Sequence, residues 1–185
     1  MRHTPKRPIP WPHRTDSLPM SRLVLLAALL ALSGCEVADL LTDSSSDSTT
    51  STSGEAWTEM LVAVNAARAE GRSCGDTWKD AVQPLAWDGA LHRAARHHSR
   101  DMASTGRFSH TGSDGSRVGD RASRAGYAWR SVGENLALMD VPVRSVVDAL
   151  LQSPAHCSAI MDPTFTELGA ARESNYWTQV FGRPR

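Results

Sequence analysis

The stretch that decides the fold is Leu168-Gly169-Ala170-Ala171, Arg172-Glu173-Ser174-Asn175 and Tyr176-Trp177-Thr178-Gln179-Val180-Phe181. Its outer pieces read as two strands and Arg172 to Asn175 as the hairpin turn between them, since polar residues favour chain reversal between apolar runs. Upstream, the apolar residues follow the other period. Trp57, Met60, Leu61, Val64 and Ala67 fall at i, i+3, i+4, i+7 and i+10, one face of a first helix. Cys74 to Pro84 is polar and turn-rich, a connection. Asp88 can cap a second helix whose buried stripe is Leu91, Ala94, Ala95, His98 and Met102, and Gly106 ends it. Arg117 to Ala125 reads as a short third helix stopped by Gly126. Val143 to Leu151 is a fourth, with Val146, Val147, Leu150 and Leu151 inward. Helices first and strands late give the α+β class, helices packed on a small antiparallel sheet. The chain has no internal repeat.

The 185 residues hold 20 Lys+Arg against 20 Asp+Glu. A nucleic-acid binder would show a basic excess, so that class is excluded. Hydrophobic residues at 41% and charged residues at 22% exclude wholesale disorder. Three cysteines exclude a disulfide-dense miniprotein, and their odd number singles one out. Eighteen of the twenty basic residues are arginine, which reads as genome composition.

The N-terminal part reads as an address and a tether. Leu23 to Leu32 is the longest uninterrupted apolar run, ten residues, against the ~20 that a spanning helix needs. With Arg22 before it and small residues after, it fits the apolar region of a signal peptide. Leu32-Ser33-Gly34-Cys35 resembles the bacterial lipobox, which implies cleavage before Cys35 and lipidation of its thiol. Residues 1–35 are the signal segment. A start at Met20 leaves a signal of ordinary proportions, so residues 1–19 read as an over-extended start. Lipidation makes the membrane a partner through Cys35. Glu36, not Asp, follows the cysteine; by resemblance to lipoproteins of two-membrane bacteria this points to the outer membrane, facing the periplasm or the cell surface. The rest of 36–54, ending in Thr42-Asp43-Ser44-Ser45-Ser46-Asp47-Ser48-Thr49-Thr50-Ser51-Thr52-Ser53-Gly54, cannot bury enough apolar surface to order itself and reads as a flexible tether. The folded domain is 55–185, enough for one core.

Three residues stand out as chemistry. His110 lies in Phe108-Ser109-His110-Thr111-Gly112, a loop anchored by Phe108. Glu134 lies in Gly133-Glu134-Asn135 between Val132 and Leu136, where a carboxylate must be solvated or paired. His156 lies in Ser153-Pro154-Ala155-His156-Cys157, between two helical segments. His92 and His97, near Arg93 and Arg96, read as solvated, and His98, on the apolar stripe, as a hydrogen-bonded core histidine. No zinc-protease helix, nucleophile elbow, phosphate loop or dinucleotide turn is present in the sequence.

Taken in order, several pieces resemble the CAP superfamily (cysteine-rich secretory proteins, antigen 5 and pathogenesis-related proteins; the SCP domain), in its bacterial stand-alone type. They are Val64-Asn65-Ala66-Ala67-Arg68, Leu85-Ala86-Trp87-Asp88, Ala94 to Ala103, Phe108-Ser109-His110, Ala125-Gly126-Tyr127, Gly133-Glu134-Asn135-Leu136-Ala137, Ser153-Pro154-Ala155-His156, Phe165 to Gly169 and Tyr176 to Gly182. The resemblance implies a three-layer α-β-α sandwich with a cleft lined by His110, Glu134 and His156 from three loops. Larger relatives carry a second glutamate where this chain has Ser153. The resemblance therefore implies a non-catalytic binding module for a small apolar or envelope-derived ligand, lipid or cell wall, with a metal-dependent, peptidase-like hydrolase as the alternative. Two imidazoles and a carboxylate could hold Zn²⁺ with one position open, act as an acid and base pair, or only shape a binding cleft. Trp87 and Trp177 fall in the family motifs and read as core; Trp129 could reach the cleft rim. The domain is expected to be a monomer.

With Cys35 lipidated, Cys74 and Cys157 remain in an oxidising compartment, and a bridge between them would pin the loop of His156 to the end of the first helix. Two buried thiols, or Cys157 as a metal ligand beside His156, are the alternatives. After Cys35 the chain holds 15 basic and 19 acidic residues.

Overall fold

The computed structural model describes residues 49–185. The signal segment, Cys35 and residues 36–48 of the expected tether lie outside the described residues.

The elements are α1 (Thr49–Arg68), β1 (Arg72–Cys74), β2 (Thr77–Lys79), β3 (Ala86–Trp87), α2 (Gly89–Thr105), α3 (Val118–Arg124), β4 (Trp129–Leu138), α4 (Val143–Gln152), α5 (Pro154–Ile160), β5 (Glu167–Glu173) and β6 (Tyr176–Pro184). The decisive stretch is the hairpin β5–β6, longer at both ends than its sequence shows and reversed by Ser174 and Asn175 alone. Ser174 takes a positive φ of 55°, the left-handed backbone that such tight turns require. β6 is the centre of a four-stranded sheet ordered β3-β5-β6-β4, antiparallel except for the β3–β5 pair.

Alternation along the strands divides the core in two. Leu168, Ala170, Trp177, Phe181 and Ala137 face α1, α4 and α5 in the larger apolar cluster, with Met60, Val64, Val146 and Ile160. Ala171 and Val180 face the other way, against Leu91 and Ala95 of α2 and Ala122 of α3. The result is the three-layer α-β-α sandwich, with the sheet in the middle. α2 lies close on β5 because Gly169 has no side chain: a Cβ there would stand 2.1 Å from the His92 backbone nitrogen.

Local signals perform as read. The Asp88 side chain accepts from the Leu91 N–H at 2.7 Å, capping α2, and Gly106 closes that helix at φ 67°. Gly126, φ 88°, follows the end of α3. Two residues of the Val64–Arg68 run tie helix to loop. Asn65 exchanges two hydrogen bonds with the Leu85 backbone, and the buried Arg68 guanidinium donates to the carbonyls of Gln83, Ile160, Asp162 and Phe165. Cys74 and Cys157 form a disulfide, with Cα atoms 5.4 Å apart.

Other readings need correction. Residues 49–54 of the expected tether are helical, because α1 starts eight residues ahead of Trp57; extending an existing helix adds one hydrogen bond per residue fixed and needs no new nucleus. The connection after Cys74 contains the β1–β2 hairpin, turned at Gly75 with φ 64°. The ten-residue strand β4 has no counterpart in the sequence reading, because Gly133, Glu134 and Asn135 interrupt its apolar pattern. Among the described residues, no helix is long and apolar enough to cross a membrane.

Candidate functional site

β4 is an edge strand, paired with β6 only. The register sets Glu134 opposite Val180, on the α2–α3 face, and Asn135 opposite Gln179, on the α5 face. Glu134 thus enters from a strand and His156 from helix α5; of the three residues, only His110 comes from a loop. The expectation of three loops fails because neither a strand interrupted by polar residues nor a seven-residue helix starting at Pro154 gives a clear local period.

The Glu134 side chain is 3% exposed and both its oxygens are engaged. Oε2 accepts from Arg121 Nη2 at 2.7 Å, and Oε1 accepts from His110 Nδ1 at 2.8 Å. A carboxylate only accepts, so the Nδ1–H of His110 is the donor and its Nε2 is left for a ligand or water. The His110 side chain is 60% exposed. The hydrogen bond to Glu134 raises its pKa above the ordinary value, against the smaller effect of burial.

Arg121, which the sequence reading passed over, holds the group together. Its side chain is 1% exposed; beyond Glu134 it donates to the carbonyls of His110 at 3.2 Å and Ser116 at 2.7 Å. A signal existed: Arg121 stands on the stripe Val118, Ala122, Ala125 of α3, where an apolar residue is due. His98 supports the same loop from below. It is fully buried and donates from Nε2 to the Ser109 carbonyl at 2.9 Å, as a core histidine should, with Nε2 3.9 Å from Glu134. Burial keeps its pKa below the ordinary value, and the Glu134 charge opposes that only in part. His98 Nδ1 and Arg121 Nε are buried without a partner among the described residues. The loop is held by these polar contacts and by Asp101, which accepts from the Ser113 N–H at 2.8 Å and from its hydroxyl. Phe108, expected to anchor it, is 48% exposed.

His156 is half-buried, and Asn135 Nδ2 donates to its carbonyl at 3.2 Å. Burial lowers its pKa, and the nearby His110 charge lowers it further. The disulfide at Cys157 secures its helix. His97 is exposed, as read. His92 is not: its Nδ1 lies 2.7 Å from the Ala170 carbonyl and its ring sits 4.9 Å from Trp57 and 5.6 Å from Trp87, because α2 is so close to the sheet at Gly169. Trp177 is core, Trp87 is half-buried, and Trp129 donates to Ser123 on α3.

Among the described residues no group of three or more His, Cys, Asp or Glu is placed to hold a metal ion. Glu134 already has a buried guanidinium and an imidazole N–H on its two oxygens, leaving at most the two imidazoles. The set does not fit the open three-ligand zinc site.

The comparisons agree with this architecture. A family model described as the cysteine-rich secretory protein family, CAP, matches residues 61–181. The chain belongs to the CAP family. Two proteins of Bacillus subtilis (strain 168) are 30% identical to it: the uncharacterized membrane protein YlbC over 103 residues, and the uncharacterized protein YkwD over 105. Each match covers 56% of this chain, but only 30% and 41% of those relatives. An extracellular protein containing an SCP domain, from Bacillus anthracis str. Ames, superposes with a TM-score of 0.61 at 26% identity, over 70% of this chain and 41% of that one. An outer surface protein from Borrelia burgdorferi shares the fold, with a TM-score of 0.56 at 18% identity over 74% and 96% of the two chains.

Proposed function

We propose that this chain is an exported envelope protein, held to a membrane through lipidated Cys35, whose His110–Glu134–His156 surface binds an envelope-derived ligand without turning it over. The observation that carries the reading is the double engagement of Glu134. With Arg121 on one oxygen and His110 on the other, neither oxygen of the carboxylate is left free for a ligand, and it serves to orient His110. What faces outward is an imidazole held in one tautomer, beside a second imidazole, on a loop fixed from behind. That is a recognition surface. Ser153, where larger relatives have an acid, leaves it without a second carboxylate. Relatives described as extracellular, outer-surface and membrane proteins support export.

Incubation of the purified protein with envelope extract, followed by mass spectrometry of what stays bound, tests the reading. A ligand retained intact by the wild type and lost in His110→Ala supports it. Consumption of that ligand by wild type but not by His110→Ala would overturn it in favour of a peptidase-like hydrolase. One observation favours that second reading: His110 is pushed toward the charged form and His156 toward the neutral form, as in an acid and base pair. Acyl labelling lost in Cys35→Ser tests the anchor.

A further inference from the structure

The outward surface of α2 carries a charge pattern that the His110 site does not use. Residues 89–125 hold seven arginines, six of them besides the buried Arg121 of that site, against three acids, Asp101, Asp114 and Asp120, whereas the chain after Cys35 as a whole is acidic. Arg93, Arg96 and Arg100 follow one another along α2 at i, i+3 and i+7, so one helix face presents a cation at each turn, roughly every 5.4 Å. With His97 and Ser104 they line an open groove of about 560 Å³, completed by Ser113 and by two carboxylates, Asp101 and Asp114, each already engaged by Ser113 or Arg124. A second depression of about 290 Å³ shares Arg93 and His97 with it and reaches Arg124. Neither is lined by His110, Glu134 or His156.

These cations are incompletely matched. Arg124 pairs with Asp114 at 2.5 Å, and Arg100 with Glu173 at 3.2 Å, the latter an exposed pair that a multivalent anion can displace. Arg93 donates only to a neutral carbonyl, that of Ala125. Arg96 has no side-chain partner among the described residues, while His97 is close enough to Asp101 to help hold that carboxyl below its ordinary pKa. Guanidinium groups take phosphate oxygens in pairs. A groove with one such group per helical turn suits a chain whose charges recur at a similar interval, and its concavity admits a chain where a flat bilayer cannot enter.

We infer that this groove docks a linear polyanion carrying phosphodiester groups, laid along α2. The envelope reading above enters only in saying where such a polymer is met; an unlipidated Cys35 would sink that reading and leave the groove untouched.

Fluorescence anisotropy with a labelled glycerol-phosphate hexamer at low salt tests the inference. The protein is residues 49–185, which hold both apolar clusters and the disulfide. R96E/R100E is expected to weaken binding at least tenfold, and R96Q/R100Q by a smaller factor, which covers any folding defect of the reversal. R144E/R183E, at exposed arginines away from the groove, should change it less than twofold. Added salt should weaken the wild type more steeply than R96E/R100E. An equal loss in R144E/R183E overturns the inference, and so does no measurable binding by the wild type. Tighter capture of anionic vesicles, or of a DNA oligonucleotide of equal charge, overturns it too by naming another occupant.

Discussion

The two faces of the β3–β5–β6–β4 sheet are covered by helices of different chemistry. On one side α1, α4 and α5 close over a broad apolar cluster, held by the Cys74–Cys157 bridge and by Arg68 spread over four carbonyls. On the other, α2 and α3 cover fewer buried apolar residues, with four ionisable ones among them: Arg121, Glu134, His98 and Tyr127. The first face resists disturbance by packing and covalent closure. The second depends on charges being matched, since a buried charge without its partner is expensive. The candidate site lies over the second, where matched charges hold the exposed His110 imidazole in one orientation.

Perturbations of each face can break or sharpen this contrast. The largest effect is expected from opening the disulfide. Its partners are 83 residues apart, and loop entropy alone gives roughly 4–5 kcal/mol as an upper figure. Denaturant unfolding of Cys74→Ser/Cys157→Ser should show a loss approaching that value; an unchanged midpoint would remove covalent closure from the first face. Arg121→Ala should cost about 3–5 kcal/mol by leaving the buried Glu134 without its guanidinium, with only His110 still on the other oxygen. Arg121→Ala/Glu134→Ala should recover part of that loss, and additive costs in this cycle would mean that the two charges are not coupled. Gly169→Ala should cost about 3 kcal/mol, because the new Cβ meets the backbone of α2 rather than a side chain able to rotate away. A neutral result would show that α2 is free to lift from the sheet.

Titration reaches the second face alone. The raised His110 pKa means that the Glu134 contact stabilises the fold fully below about pH 6.5, and that this contribution fades as pH rises through the raised value. The lowered His98 pKa acts oppositely: its contribution is complete above about pH 6.5 and is lost as pH falls through the lowered value. Imidazole proton titration by NMR should show both values moving down in Glu134→Gln, since Glu134 raises each. A His110 that titrates as in the wild type would detach it from Glu134. The smallest effect is expected at the entry of α2: Asp88→Ala should cost about 1 kcal/mol through the lost cap, and nothing measurable would place the start of that helix under tertiary control.

Elements with local signals were legible. Asp88 and Gly106 mark the ends of α2 because capping is a contact between near neighbours, and the β5–β6 hairpin shows because its turn is polar and its strands are not. β4 was hidden, since Gly133, Glu134 and Asn135 are poor strand formers that stay in register only because β6 pairs with them. The half-buried state of His92 was hidden for a similar reason, as it depends on a glycine 77 residues away in the chain. Of the candidate site, the identities of His110, Glu134 and His156 were legible from motif resemblance. The role of Arg121 was not: its carboxylate partner lies 13 residues on, across a turn and into a strand.

The ends of α2, the β5–β6 hairpin, the α+β class and the family are readable in the sequence. These follow from contacts within a turn or two of the chain, or from motif order. Only the tertiary structure decides that Arg121 and His110 engage both oxygens of Glu134, that His110 is a fixed donor with a raised pKa, and that His98 and His156 are held toward neutrality. Coulomb energy and desolvation depend on distance and burial in space, and neither is written in the spacing of residues along a chain.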